Sequence, residues 1–509
     1  MTTQLVWFKR DLRVTDHMPL RRASQLGPVL CLYVYEDDLL AGEDAHACHV
    51  TFVNESLAVL REELKQHGGR LVIRRGRMPD VLDELHEETR FGTIWAHEET
   101  GNGLSYARDR RVRAWAKRKG VIFHEFFQNG VVRPLKRRDG WSRHWNERMT
   151  APLAKPPRPI EAVDAPGCGI LAPAELGVAG EPRIGAQPGG SHEAQSLLRS
   201  FLYERGRHYR KEMSSPVTAW DSCSRLSPHL AYGTISMRAI ATALRERQAE
   251  LRDMAKPPTG WLASLKSYEG RLHWHCHFMQ KLEDEPRLEF ENMARSYDGM
   301  REEEFDPARF DAWCAGQTGF PMVDACMRAL EETGWINFRM RAMLMSFASY
   351  HLWLHWRPTA LHLARLFVDY EPGVHYSQAQ MQSGVTGINA TRMYSPAKQV
   401  LDQDPEGRFL RTWLPELAGV PTEHLAEPHR MTRSEQEAAD CRIGVDYPAP
   451  IVDHKAAVGQ ARRRISAIRS TESARAEAEQ IFLRHGSRKR TARASSPKAA
   501  KTRTRSKRE

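Results

Sequence analysis

The chain has 509 residues and a formal net charge of +11, room for two or three domains with ample core. Apolar content is ordinary for a globular protein, and no run approaches the roughly 18–20 uninterrupted apolar residues of a membrane span. Ten Lys or Arg and one Glu lie between Ser487 and Glu509, a charge of +9, so the rest of the chain carries only 11 − 9 = +2. That excludes a globally basic body; any nucleic-acid surface there must be a local basic face.

The opening MTTQLVWFKRDLR lacks the apolar stretch and small-residue cleavage site of a secretory signal, which predicts a cytoplasmic protein. Cysteines at 31, 48, 168, 223, 276, 314, 326 and 441 form no C-x-x-C. They read as reduced thiols, not as ligands of zinc or of an iron–sulfur cluster.

Residues 4–130 alternate short apolar runs with helical patterns. LVWF (5–8), VLCLYVY (29–35), LVI (71–73), TIWA (93–96) and VIFHEF (121–126) read as strands; 49–67, 78–89 and 104–119 read as helices. This predicts an α/β domain with a doubly wound parallel five-stranded sheet over 1–130. No G-x-G-x-x-G follows the first strand, so a dinucleotide site there is not expected. Residues 131–192 are rich in Pro and Gly and read as an interdomain connector on a fixed path. From 193 to 485 the periodicity is helical throughout, predicting a large all-α domain. The basic segment 486–509 cannot build a core and reads as a disordered tail.

Gly319 to Pro396 organises the helical part. Apolar residues run at helical spacing over 322–330, 340–356 and 361–368. Arg339, Arg341, Asp369, Glu371 and His375 interrupt this apolar sequence. Buried charges must be paired or bound to a polar ligand, which suggests a pocket for a planar polar cofactor.

The segments LVWFKRDLRVTDHMPL, SRLSPHLAYGTIS, GFPMVDACMRALEETGW, DPEGRFLRTWLPEL and YPAPIVDHKAA occur in this order. Together they resemble the photolyase/cryptochrome family, over residues 4 to about 465. The resemblance implies FAD in the all-α domain and an antenna chromophore, folate or deazaflavin, in the N-terminal domain. An N-terminal domain with a purely structural role fits the pattern equally well. The resemblance places the FAD diphosphate on Ser224, Arg225, Leu226 and Ser227, with Tyr209 as a partner. Ser224 and Ser227 are read as caps of the helix that follows. Cys223 stands where the family usually has Thr. Arg341 and Asp369 match the pair beside the flavin ring. Glu371 is expected at flavin N3–H and His375 close to flavin N5.

The family's repair enzymes carry Glu-Leu-x-Trp-Arg-x-Phe on the helix facing the lesion; here it reads Arg271, Leu272, His273, Trp274, His275, Cys276, His277. Trp274 is retained and offers a ring for an extruded base. The resemblance assigns Arg271, Trp274, His275 and Gln399 to DNA, and Trp274, His375 and Arg341 to catalysis. Phe338 and Ala342 replace a lesion-side Asn and Met. His273 and His277 have the spacing of a metal pair, but the chemistry around them predicts no metal. The family's electron relay of three tryptophans keeps Trp356, whereas the first position is Ala379. Trp353 and Tyr376 are expected to replace it, with Trp353 and Trp356 sharing a helix face. Three functions follow: a monomeric photolyase acting on UV-damaged DNA, a cryptochrome-like photoreceptor without repair activity, or a nucleic-acid-binding flavoprotein without photochemistry, against which the Arg341–Asp369 pair argues. The retained Trp274 and basic tail favour the first; the lost Glu, Asn and Met favour the second.

Overall fold

A computed structural model describes residues 2–487 except Lys136; the basic segment from 488 onward lies outside the described residues. Five strands, β1 (Gln4–Phe8), β2 (Val29–Glu36), β3 (Leu71–Gly76), β4 (Thr93–His97) and β5 (Ile122–Phe126), form one sheet. Their order is β3-β2-β1-β4-β5 and every pair is parallel. Leu5 on β1 faces Leu30 on β2 and Ile94 on β4. Both faces of β1 are covered, as its unbroken apolar run requires. Leu5 and Trp7 pack with Leu82, Leu85 and Trp115 on one side. Val6 and Phe8 pack with Leu20, Leu57 and Leu60 on the other.

The Pro-rich connector runs along the sheet domain through backbone hydrogen bonds: Ile160 N–H to His67 O (2.8 Å), Val29 N–H to Glu161 O (2.8 Å) and Cys168 N–H to Ile73 O (2.9 Å). It also contains a helix, Trp141–Thr150, that the Pro content obscured. Trp141, Trp145 and Met149 on that helix pack into the helical part beside Phe201 and Tyr268.

Helices extend from Ser191–Tyr203 to Glu472–His485. The 24-residue helix Trp261–Asp284 is central and packs against Pro372–Ser383. Gly373 permits this approach: a Cβ there would lie 2.7 Å from Met279 Cα. The apolar run 340–356 is not one helix. The helix Phe338–Ser346 loosens into a π-turn at Phe347–His351, and the chain turns left-handed at Trp353 (φ 58°) before helix Trp356–Leu366. Apolar periodicity reports burial, and this stretch is buried on all sides, so it carries no signal of the break. Among the described residues no helix is long and apolar enough to cross a membrane.

Candidate functional site

The segment 222–227 is a tight loop ahead of a five-residue helix, Ser227–Ala231. Its N-cap is Leu226 and no side chain caps it, contrary to the reading of Ser224 and Ser227 as caps. The cause is local: Arg225 adopts φ 60°, and the turn drives Leu226 into the core. Ser224 Oγ accepts from Leu226 N–H (3.4 Å), and Ser227 Oγ accepts from Trp335 Nε1 (3.3 Å). The Arg225 guanidinium lies between two indoles, 3.8 Å from Trp220 and 4.1 Å from Trp335. Burial pulls its pKa down to about 10. Arg205 braces the loop from below by donating to the carbonyls of Asp221 (2.8 Å), Cys223 and Ser224 (2.8 Å).

Four guanidiniums are near enough to act on the Cys223 thiol. Burial pushes that thiol up to about 12, while Arg225, Arg205, Arg271 and Arg341 pull the other way. Of these four only Arg341 has an ion-pair partner among the described residues: it grips Asp369 through two 2.8 Å hydrogen bonds. Arg341 Nε–H donates to Ile336 O (2.7 Å), and the guanidinium lies 4.1 Å from the centre of the Phe367 ring. Tyr209 is buried edge-on to Phe201 and Tyr268, and burial raises its phenol pKa.

Asn337 precedes this helix. Its amide N–H groups donate to Met213 O (3.1 Å) and Ser214 O (2.8 Å), leaving its buried Oδ1 without a partner among the described residues. Arg271 reaches the Met213 sulfur (3.7 Å), so Arg271 and Asn337 meet the same loop.

Glu371 and His275, expected on flavin and DNA respectively, face each other at 2.6 Å. Burial opposes the imidazolium, but the Glu371 carboxylate outweighs it and pushes His275 up to about 10. Both line a cleft between the domains with Arg10, Glu99 and Gln128. The DNA reading of His275 is therefore corrected: its charge is neutralised inside the protein. Gln399 is also corrected, since it is only 5% exposed, and a buried amide cannot meet a phosphate.

Residues 4–142 match the DNA photolyase family description, and residues 268–467 match the FAD binding domain of DNA photolyase. A deoxyribodipyrimidine photo-lyase of Halobacterium salinarum is 30% identical over 93% of this chain and 100% of the relative. The chain belongs to the photolyase/cryptochrome family. A cryptochrome DASH of Gloeobacter violaceus is also 30% identical, over 89% of this chain and 93% of the relative. Among solved structures, a bacterial class III photolyase from Agrobacterium tumefaciens superposes with TM-score 0.79 at 25% identity, covering 92% of this chain and 98% of that one.

The chemistry of the site fits the cofactor after which this family's helical domain is named. Four guanidiniums against one paired carboxylate leave a positive excess that suits a diphosphate. The orphaned Asn337 Oδ1 is an acceptor with nothing yet to accept. His375 Nε2 lies 2.8 Å from Ala360 O, which can only accept, so the proton sits on Nε2 and Nδ1 is a bare acceptor. Burial lowers His375 to about 4, which keeps it neutral.

Trp274 is half-buried, stacked on Phe278 at 5.6 Å and edge-on to His277 at 5.0 Å. His273 and His277 turn away from any shared ion: His273 Nε2 meets Ser142 Oγ (3.2 Å) and His277 Nδ1 meets Arg138 (2.6 Å). The described residues with metal-ligand spacing are instead Asp11, His17 and His97, buried under the sheet domain. Leu20 N–H donates to His17 Nδ1 (3.1 Å), so His17 Nε2 carries its proton toward Asp11 (2.9 Å); the His97 Nδ1 also meets Asp11 (2.7 Å). Asp11 is an acceptor for two neutral imidazoles.

Trp356 and Trp353 do not share a helix face. Trp356 opens its helix with His355 as N-cap, whereas Trp353 lies in the preceding turn. Trp353 is flanked by Arg301 (4.6 Å) and Arg464 (4.8 Å). Trp356 instead meets Tyr376, with ring centres 6.3 Å apart and nearly perpendicular. The roles of Arg205 and Asn337 and the pairing of Glu371 with His275 are not apparent from the sequence. Only Asn337 leaves a signal there, as a lone amide in the otherwise apolar run GWINF.

Proposed function

We propose that this protein is an FAD-dependent enzyme that uses blue light to split UV-induced pyrimidine photoproducts in DNA. The observation that carries this reading is the bidentate Arg341–Asp369 pair at the edge of an uncompensated arginine cluster, inside the segment matching the FAD binding domain of DNA photolyase. A bound reduced flavin supplies light-driven electron donation to the lesion. The chain's own residues do the rest. Arg341 holds positive charge where the ring would carry negative charge, and Asp369 offsets it when the ring is neutral. Ser224, Arg225, Leu226 and Ser227, with Tyr209, form the cradle for the diphosphate. His375 presents Nδ1 as a proton acceptor. Trp274 offers a stacking face, and exposed Arg271 a phosphate contact.

The antenna chromophore of this proposal, folate or deazaflavin, belongs to the N-terminal domain. A cleft lined by Asn102, Gly103, Tyr106, Met279 and Glu289 supports that placement. The protein acts as a monomer in the cytoplasm. The test is direct: fully reduced protein is mixed with an oligonucleotide containing a cyclobutane or (6-4) dimer and illuminated with blue light. Restored absorbance of the intact bases is expected for one of the two lesions. No restoration of either, with flavin bound and reduced, selects the second reading, a cryptochrome-like photoreceptor. A specific observation favours that reading: Arg271 and exposed Phe338 occupy the positions where the resemblance puts lesion-contacting Glu and Asn.

A further inference from the structure

Among the described residues three guanidiniums approach the stretch 350–353, where the π-turn ends. Arg309 donates to Leu352 O (3.4 Å) and is paired with Asp306 (3.1 Å). Arg464 lies 4.8 Å from the centre of the Trp353 ring, and its Nη1 donates to both carboxylate oxygens of Glu304 (2.7 Å each). Arg301 lies 4.6 Å from the same ring and 5.7 Å from that of Tyr350. It alone lacks a carboxylate. Its guanidinium makes no hydrogen bond and no ion pair among the described residues, and its buried Nε and Nη2 have no acceptor. Glu302 is next to it in sequence but turned away. That carboxylate accepts from the Arg301 backbone N–H (2.9 Å) and faces His355 (3.7 Å).

Arg301 is 1% exposed. Burial pulls its pKa down to about 10, so the guanidinium keeps its charge at neutral pH. A buried charge needs a countercharge as well as hydrogen bonds. The two ring faces attract a cation but do not accept its in-plane N–H bonds. Water accepts N–H bonds but brings no charge. The other unpartnered polar atoms of this group are the buried Trp353 Nε1 and the Tyr350 hydroxyl. The indole N–H can only donate, and the phenol is free to donate. An indole N–H, a phenol O–H and a guanidinium are donors in want of an anion.

We propose that Arg301, Tyr350 and Trp353 form a buried binding site for a small monovalent inorganic anion of halide size. Arg301 supplies the charge and two N–H donors, and the indole and the phenol supply one each. Arg301 and Tyr350 are each 1% exposed, which leaves no route for an organic acid. Arg464, with 36% of its side chain exposed, brings positive potential from the solvent side to the same indole. With the ion bound, three anions answer three guanidiniums, and the loop carrying Arg301 is tied to the end of the π-turn. The site shares no residue with the arginines around Cys223 and does not rest on the FAD reading.

The test uses bromide on the full chain as purified. Crystals soaked in sodium bromide and measured at the bromine absorption edge should show an anomalous peak against Arg301 in the wild type and none there in Arg301→Gln. In solution, bromide replaces gluconate at constant ionic strength. The melting temperature of the wild type should then gain on that of Arg301→Gln, and the gain should saturate, because the ion binds the folded state alone. If Arg301→Gln fails to fold, Tyr350→Phe and Trp353→Phe decide the question. Each keeps an aromatic ring, removes one donor and should raise the bromide concentration at half-saturation roughly tenfold. Bromide peaks confined to the surface, with none against Arg301, overturn the inference. A peak in the crystal without the saturable gain in solution marks an adventitious ion only and overturns it as well. So does an unchanged half-saturation in both donor variants.

Discussion

Two arginine clusters in this molecule differ in the number of carboxylates they meet. In the sheet domain Arg108 contacts Glu36, Glu99 and Asp109, Lys9 meets Asp109 at 3.3 Å, and Arg10 approaches Glu99 at 3.8 Å. Three cations face three carboxylates there. In the helical domain the charges of Arg205, Arg225, Arg271 and Arg341 all act on Cys223, with Asp369 the single ion-pair partner of the four among the described residues. The first cluster neutralises itself and is scaffold. The second, with Arg225 buried, Arg205 and Arg341 half-buried and Arg271 exposed, keeps a positive excess without an internal answer, which suits an anionic ligand.

The sharpest way to break the comparison is to remove one arginine from each cluster. Arg108→Ala leaves buried Glu36 without a cation and takes one of two partners from Glu99 and Asp109, and should cost about 3–5 kcal/mol of folding stability, read by urea denaturation of flavin-free protein. In the helical cluster Arg341→Ala should abolish flavin retention, read by absorbance of the purified protein, and destabilise the flavin-free chain by about 2–3 kcal/mol because Asp369 loses its partner. Arg225→Ala should also lose flavin, yet change flavin-free stability by less than about 1 kcal/mol, since no carboxylate is left behind. Equal destabilisation by Arg225→Ala and Arg108→Ala would erase the distinction between the clusters.

A smaller effect is expected from His275 and Glu371, which join the cleft to the helical site. The folded pKa of His275 is raised to about 10 from an ordinary 6.5. A raised histidine pKa stabilises the fold fully below 6.5, and the stabilisation is lost as pH rises through about 10. The stability difference between wild type and Glu371→Gln should therefore be largest at pH 6 and shrink toward zero above pH 10. Thermal melts across that range would show it; a difference that grows with pH would refute the pair. Smallest for the folded body is the effect of deleting 487–509, which removes +9 of charge. DNA affinity should fall regardless of sequence and its salt dependence become shallower, measured by titration at several salt concentrations.

Much of the architecture is legible in the residues themselves. The five strands are readable because a strand covered on both faces must be apolar without interruption, and β1 and β2 are. The pairing of Arg341 with Asp369 is readable through the family resemblance. The caps expected at Ser224 and Ser227 do not form, because cap preference is a statistical property of a residue type, whereas the left-handed turn at Arg225 displaces the helix start. The face expected to join Trp353 to Trp356 does not exist, because uniform burial hides a break in a helix.

The sequence by itself determined the class of fold, the order of domains and the family, since apolar periodicity and contiguous motifs are encoded over a few turns of chain. Tertiary structure alone decided which polar groups meet. Glu371 pairs with His275 rather than standing free, Gln399 is buried, and Tyr370 finds Asp44 from 326 residues away. Hydrogen bonds and ion pairs act over about 3 Å, and desolvation determines which of them matter. No local pattern records which distant side chains the packed core will bring within that distance.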